Sequence, residues 1–209
     1  DSARFVVLAC AGKVLIVELA QSGVTTQIQT LSSGQPAALV HIDIALAEAV
    51  LVDAMADLQS RLQTATAWQL FGVLEEALRR TARYTSERKQ FGKPIATFQA
   101  VAHRAANAYI DLECLKGSAE QASWLIDEQR PAELAAGMAY WWACEAAHRV
   151  VHSTQHLHGG MGADLTYPIH RFFVRAKELE FSLGGASKVI DIVGQQLVDQ
   201  APETRRLVC

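Results

Sequence analysis

The hydrophobic period of this chain changes once, near Ala54, and that change decides the fold class. Before it, apolar residues come in short β-branched runs. After it they recur every three to four residues out to about residue 199. Residues 54–88 form one long amphipathic pattern, with Leu58, Leu62, Ala65, Leu70, Val73, Leu74, Ala77 and Leu78 near one stripe. Residues 98–127 form a second, whose many alanines between Val101 and Ala122 allow close helix approach. A third helix is predicted from about Pro131, a residue suited to a first turn, to His156. Shorter helices follow at about 167–179 and 186–199. Long helices joined by short loops imply an antiparallel bundle.

The first 50 residues read as β. Phe5–Ala9 and Lys13–Leu19 flank Ala11-Gly12, a hairpin signal, and Val24–Thr30 and Ala37–Ile44 are two further strands with Ser32 to Pro36 as the turn. Four such strands make a meander with raw edges, which does not stand as a domain alone. The expected organisation is therefore a partial β domain at 1–50, a helical bundle at 51–200 and a frayed tail at 201–209.

Composition removes several classes. A net charge of −3 and a pI near 6.2 argue against non-specific binding to nucleic acid or anionic membrane. The apolar run around 36–56 is broken by His41, Asp43, Glu48 and Asp53, so it does not span a bilayer unaided. Cys10, Cys114, Cys144 and Cys209 lie far apart without a C-x-x-C pair and read as reduced thiols of a cytoplasmic protein.

Two stretches carry chemistry. In Arg83-Tyr84-Thr85-Ser86-Glu87-Arg88-Lys89-Gln90-Phe91-Gly92-Lys93-Pro94-Ile95, basic and polar groups crowd a helix end that Gly92 and Pro94 stop; Thr97 is placed to cap the next helix. Guanidinium and ammonium groups there suit an anion such as a pyrophosphate, although an ordinary charged helix end has the same composition. The second stretch is His156-Leu157-His158-Gly159-Gly160-Met161-Gly162, followed by Tyr167-Pro168, Arg171 and Arg175-Ala176-Lys177. Its glycines let a backbone approach a ligand closely, and they also fit a plain helix stop. No strand precedes it and no G-x-G-x-x-G spacing exists, so it is no dinucleotide fingerprint.

Together the two strings resemble the acyl-CoA dehydrogenase family. Arg88-Lys89-Gln90-Phe91-Gly92 with Phe98-Gln99 is similar to its arginine-x-x-phenylalanine-glycine motif. The later string is similar to its His/Phe-Gly-Gly-x-Gly loop, with His158 at the first position, and to the Tyr-Pro-x-x-Arg and Arg-Asp-Ala-Lys steps in order. The resemblance covers about residues 54–200 and implies a mostly α fold: an antiparallel four-helix bundle of the family's C-terminal type, preceded by the end of its middle β domain. The family's N-terminal helical domain has no counterpart, so the chain reads as a fragment or an unusually short subunit.

The resemblance further implies FAD as cofactor. Arg88, Gln90 and Phe91 would reach the pyrophosphate and adenosine of an FAD in a neighbouring subunit, Gln99 would approach it, and His156, Gly159 and Gly160 would cradle it from the other side. The family usually has glutamine where His156 stands. Its reaction is α,β-dehydrogenation of an acyl-CoA, with a glutamate as base at one of two locations. Those locations fall here on Leu62 and Leu183, and leucine accepts no proton. No residue of this chain is therefore expected to be the catalytic base.

The whole pattern resembles the non-base subunit of actinobacterial α2β2 dehydrogenases acting on steroid side-chain CoA thioesters, whose homologous partner supplies the glutamate. A scaffold that never touches FAD, and an acyl-CoA oxidase or flavin monooxygenase of the same fold, are the alternatives. Glu178, Glu180 and Asp57, near the two leucines, are expected in surface or capping roles. His148, His152 and His156 share a helix face at metal-binding spacing but lack a completing ligand, so His148 or His152 is expected to be buried and hydrogen-bonded. Trp124, Trp141 and Trp142 are expected in the bundle core or a subunit contact.

Overall fold

A computed structural model describes residues 3–10, 13–45, 49–52 and 54–199. The Ala11-Gly12 turn and the tail beyond Gln200 lie outside the described residues. The rest falls into two compact units, one up to Gln59 and one from Ser60.

The first unit holds two small antiparallel sheets. Strand β1 (Phe5–Cys10) pairs with β2 (Lys13–Glu18) from Phe5↔Glu18 to Cys10↔Lys13. Strand β3 (Val24–Thr30) pairs with β4 (Pro36–Ile42) from Val24↔Ile42 to Thr30↔Pro36. The expected four-strand meander is not formed. The free edge of β2 is taken by a fifth strand, β5 (Val50–Val52), in the register Val14↔Val52, and not by β3. The β3–β4 ribbon exposes Ile28 and Leu39.

The second unit is built from helices α1 (Met55–Glu87), α2 (Gln99–Asp127), α3 (Glu133–His158), α4 (Ile169–Phe181) and α5 (Gly185–Asp199). The main core joins Leu70, Leu74 and Leu78 of α1 to Ala108, Leu112, Leu115 and Ala119 of α2 and to Ala139, Ala143, Ala147 and Val150 of α3. Alanine at the α2–α3 seam lets the two backbones approach closely. Helix α3 turns its other face, Tyr140 and Cys144, toward Val189 and Val193 of α5. The Trp68 indole N–H donates to Ser123 Oγ at 2.9 Å, tying α1 to α2. Trp141 packs on the second cluster, whereas Trp124 stands half exposed with the Arg130 guanidinium over its ring.

On α1 the buried stripe differs from the apolar one. Leu62 and Ala65 face outward, while Ser60, Gln63, Thr64, Thr81 and Thr85 join Ala67, Leu70, Leu74 and Ala77 on the inner face. Thr81 and Thr85 are tolerated there because each hydroxyl bonds to its own helix: Thr81 Oγ1 donates to the Ala77 carbonyl at 2.7 Å and Thr85 Oγ1 to that of Ala82 at 3.1 Å. Two capping expectations also shift. Thr97 Oγ1 donates back to Pro94 O at 2.7 Å, so Phe98 is the N-cap of α2 and has no side-chain cap bond. Pro131 precedes the N-cap Ala132 and stands outside the first turn of α3. No helix among the described residues is long and apolar enough to cross a membrane.

Candidate functional site

Helix α1 ends at Glu87, and the chain makes a two-residue hairpin between β6 (Lys89–Gln90) and β7 (Lys93–Pro94). Its loop residues, Phe91 and Gly92, have φ +53° and +80°, the pair of positive values a type I′ turn requires. For phenylalanine this conformation costs on the order of 1 kcal/mol or more. The ring is 91% exposed, meeting Phe98 edge-on at 6.1 Å. Strain and exposure coincide on an aromatic residue, a combination that stability does not select. Arg88, Gln90 and Gln99 are exposed too. Arg83 pairs with Glu87 at 2.9 Å, and among the described residues no carboxylate pairs with Arg88.

Helix α3 stops at His158, and a 3-10 turn spans Gly159–Ala163. The three glycines of this bend do different work. Gly159 has φ +61° and ψ −139°, a region closed to other residues, and a Cβ on Gly159 or Gly160 would meet nothing within 4 Å. Both present bare backbone to open space. Gly162 is buried, and a Cβ there would collide with the Gln155 carbonyl. It is a packing glycine, not one that faces a ligand.

The two stretches meet through a pair of rings. Tyr84, one helical turn before Arg88, stacks on His158 with centroids 4.4 Å apart and planes 20° from parallel. Tyr167 stands 5.4 Å from the same imidazole, and the Tyr84 hydroxyl donates to Met161 Sδ at 3.8 Å. His158 is 3% exposed; its Nδ1–H donates to the Thr154 carbonyl at 2.8 Å, and Nε2 is buried with no partner among the described residues. The neutral tautomer satisfies this arrangement. Burial holds the His158 pKa below its ordinary value, because a cation would bury an N–H without an acceptor. Thus the structure brings the segment carrying Arg88, Gln90 and Phe91 to the segment carrying His156, Gly159 and Gly160. In sequence Tyr84 is only one member of the Arg83–Ile95 string and His158 only the His/Phe position of the glycine loop; their stacking on each other is seen in the fold.

The histidine row is corrected. His148, His152 and His156 are all exposed, and His152 Nδ1–H donates to the carbonyl of His148 at 2.6 Å. Among the described residues no group of three or more side chains could hold a metal ion.

The two leucine positions have unlike surroundings. Leu62 is 45% exposed on α1. Leu183, in the α4–α5 turn, packs on the cluster of Tyr140, Cys144, Val189 and Val193. Its N–H donates to the Tyr140 hydroxyl at 3.1 Å, and that hydroxyl donates to the Glu180 carbonyl at 2.9 Å. Cys144 Sγ donates to the same carbonyl at 3.4 Å. Burial pushes both the Tyr140 phenol and the Cys144 thiol up to about 12, so neither ionises near neutrality. Glu178 pairs with Arg175 and Glu180 with Lys177, each at 2.7 Å. Glu180 is 7% exposed, so it is a buried ion-pair member and not the surface group expected.

Comparison with known proteins places the helical part of the chain in a family. The sequence pattern of the acyl-CoA dehydrogenase C-terminal domain matches residues 54–198. The acyl-CoA dehydrogenase FadE27 of Mycobacterium tuberculosis is 44% identical over 142 residues, 64% of this chain and 38% of FadE27. FadE28 of the same organism is 32% identical over 197 residues, 93% of this chain and 58% of FadE28. The chain thus spans well under two thirds of either relative. Among solved structures, a chain of the ChsE4-ChsE5 complex from Mycobacterium tuberculosis superposes with a TM-score of 0.85 at 33% identity, covering 95% of this chain and 56% of that one. A chain of the Tcur3481-Tcur3483 steroid ACAD superposes with a TM-score of 0.84 at 35% identity, covering 89% and 52%.

Proposed function

Since the chain belongs to the acyl-CoA dehydrogenase family through its C-terminal helical domain, we propose that it is one subunit of a hetero-oligomeric, FAD-dependent acyl-CoA dehydrogenase. In this reading Arg88, Gln90, Phe91, Gln99, His156, Gly159 and Gly160 complete an FAD site shared with a homologous partner, in an α2β2 assembly located in the cytoplasm. A flavin, when bound, supplies the hydride acceptor for α,β-dehydrogenation of an acyl-CoA. This chain's residues grip and orient. The Arg88 guanidinium offers parallel N–H groups to a diphosphate, and the bare Gly159–Gly160 backbone admits a nucleotide at van der Waals distance. The steroid side-chain thioester as substrate rests on likeness to the steroid ACAD chain.

One contrast carries the proposal. An arginine without a carboxylate partner among the described residues and an open glycine bend stand on segments joined by the Tyr84–His158 stack, while Leu62 and Leu183 stand at the two positions that the resemblance assigns to the base. Proton abstraction then falls to the partner. The expected results are no dehydrogenase activity from the purified chain and activity on co-expression with its partner; strong turnover by the chain alone refutes the reading. Arg88→Ala should lower flavin affinity of the complex by about 10- to 100-fold, read from flavin absorbance per protein. Full flavin retention would support a scaffold role instead.

A further inference from the structure

The Tyr84–His158 contact deserves a role of its own, because it joins two segments that each end in an exposed, ligand-like surface. Tyr84 lies on α1 one turn before Arg88, and His158 is the last residue of α3, directly before Gly159. The imidazole is closed to solvent: His158 is 3% exposed, its Nδ1–H is spent on Thr154 O, and its Nε2 has no partner among the described residues, whereas Tyr84 stays partly exposed. Tyr167, from the corner before α4, and Met161, from the 3-10 turn, close the cluster. An imidazole with an orphaned ring nitrogen is a poor choice for stability alone, since a phenyl ring would fill the same slot without an unsatisfied atom. What it does supply is a flat stacking partner whose one directional bond, to Thr154 O, fixes the ring plane at the helix end.

We infer that Tyr84 and His158 are positioning residues for flavin-nucleotide binding: their stack sets the Gly159–Gly160 bend in register with the α1 end that carries Arg88, so that both reach one ligand. The inference rests on the proposed FAD reading. It also gives flavin affinity a defined response to acid. Protonation would place an imidazolium N–H in a buried position without an acceptor, between Tyr84 and Tyr167, and would open the stack. No carboxylate or cationic side chain is recorded against the His158 ring from α1, the 3-10 turn or the corner before α4 among the described residues. The two tyrosines are its titratable neighbours.

The test uses the co-expressed complex, with FAD affinity, melting temperature and a pH series measured for Arg88→Ala, Tyr84→Ala, Tyr84→Phe, His158→Ala and His158→Phe. Tyr84→Ala and His158→Ala should weaken FAD by about tenfold, the upper worth of one aromatic pair, while Tyr84→Phe keeps the stack and binds within about threefold of the parent. The parent complex should lose FAD only at pH well below the ordinary histidine value of about 6.5, because burial holds the His158 pKa down. His158→Phe, which stacks but cannot protonate, should be retained better than the parent in acid. If an alanine variant does not fold, the His158→Phe acid series decides. Parent-like acid sensitivity of His158→Phe, or parent-like FAD affinity of the folded alanine variants, overturns the inference. Those results with Arg88→Ala still impaired sink the positioning role alone; Arg88→Ala unimpaired sinks the FAD reading itself.

Discussion

Two ends of the same bundle are built on opposite terms. At the α1 end and the glycine bend, groups stand unengaged: among the described residues Arg88 has no carboxylate partner, Phe91 is strained and 91% exposed, and Gly159 and Gly160 face open space. At the α4–α5 turn Phe181 is exposed, but Leu183 and the backbone around it are engaged. Leu183 packs inward, its N–H is taken by Tyr140, the Glu180 carbonyl is doubly bonded, and Glu180 is held by Lys177. The first presents exposed groups without partners among the described residues, and the second is a packed, hydrogen-bonded turn. Under the proposed function, the open end would be the binding half of a shared site, and the turn around Leu183 would serve packing.

That contrast can be broken most severely at the closed end. Leu183→Glu sets a carboxylate among Tyr140, Cys144, Val189 and Val193 and should destabilise the chain by about 2–4 kcal/mol in denaturant melts, without creating dehydrogenase activity. Leu62→Glu, at the exposed counterpart, should stay within about 0.5 kcal/mol of the parent. Equal costs at the two positions would erase the distinction between them. Next in size, Tyr140→Phe removes both the acceptor for Leu183 N–H and the donor to Glu180 O and should cost about 1–3 kcal/mol with flavin affinity unaltered.

A smaller effect comes from acid. His158 has a folded pKa below its unfolded value, so its contribution is complete above about pH 6.5 and shrinks as pH falls toward the folded value, where the unfolded chain binds more protons. Melting temperatures from pH 8 down to about pH 5 should fall in the parent and fall less in His158→Phe.

Much of this was legible in the sequence, for physical reasons that also mark where legibility stops. Helix spans followed from a 3.6-residue period sustained over 13 to 33 residues. The outward placement of Leu62 did not, because apolarity alone cannot reveal that Thr81 and Thr85 bury their hydroxyls by bonding to their own helix. Strand β5 is three residues long and carries too few positions to show alternation. The histidines were misjudged for a geometric reason. His158 lies two residues after His156, about 200° around the helix, so the row at 148, 152 and 156 faces solvent while His158 faces the tyrosines. Of the candidate site, Arg88, Phe91 and the paired glycines were legible as a string; the ring stack that joins them was not, since it depends on residues 74 positions apart meeting in space.

The most direct test of the central claim is the native mass of the co-expressed complex together with its flavin content. The account predicts one FAD for each pair of unlike chains, lost when Arg88 becomes alanine. An FAD held by every chain, or a complex whose flavin ignores the Arg88→Ala change, would contradict it.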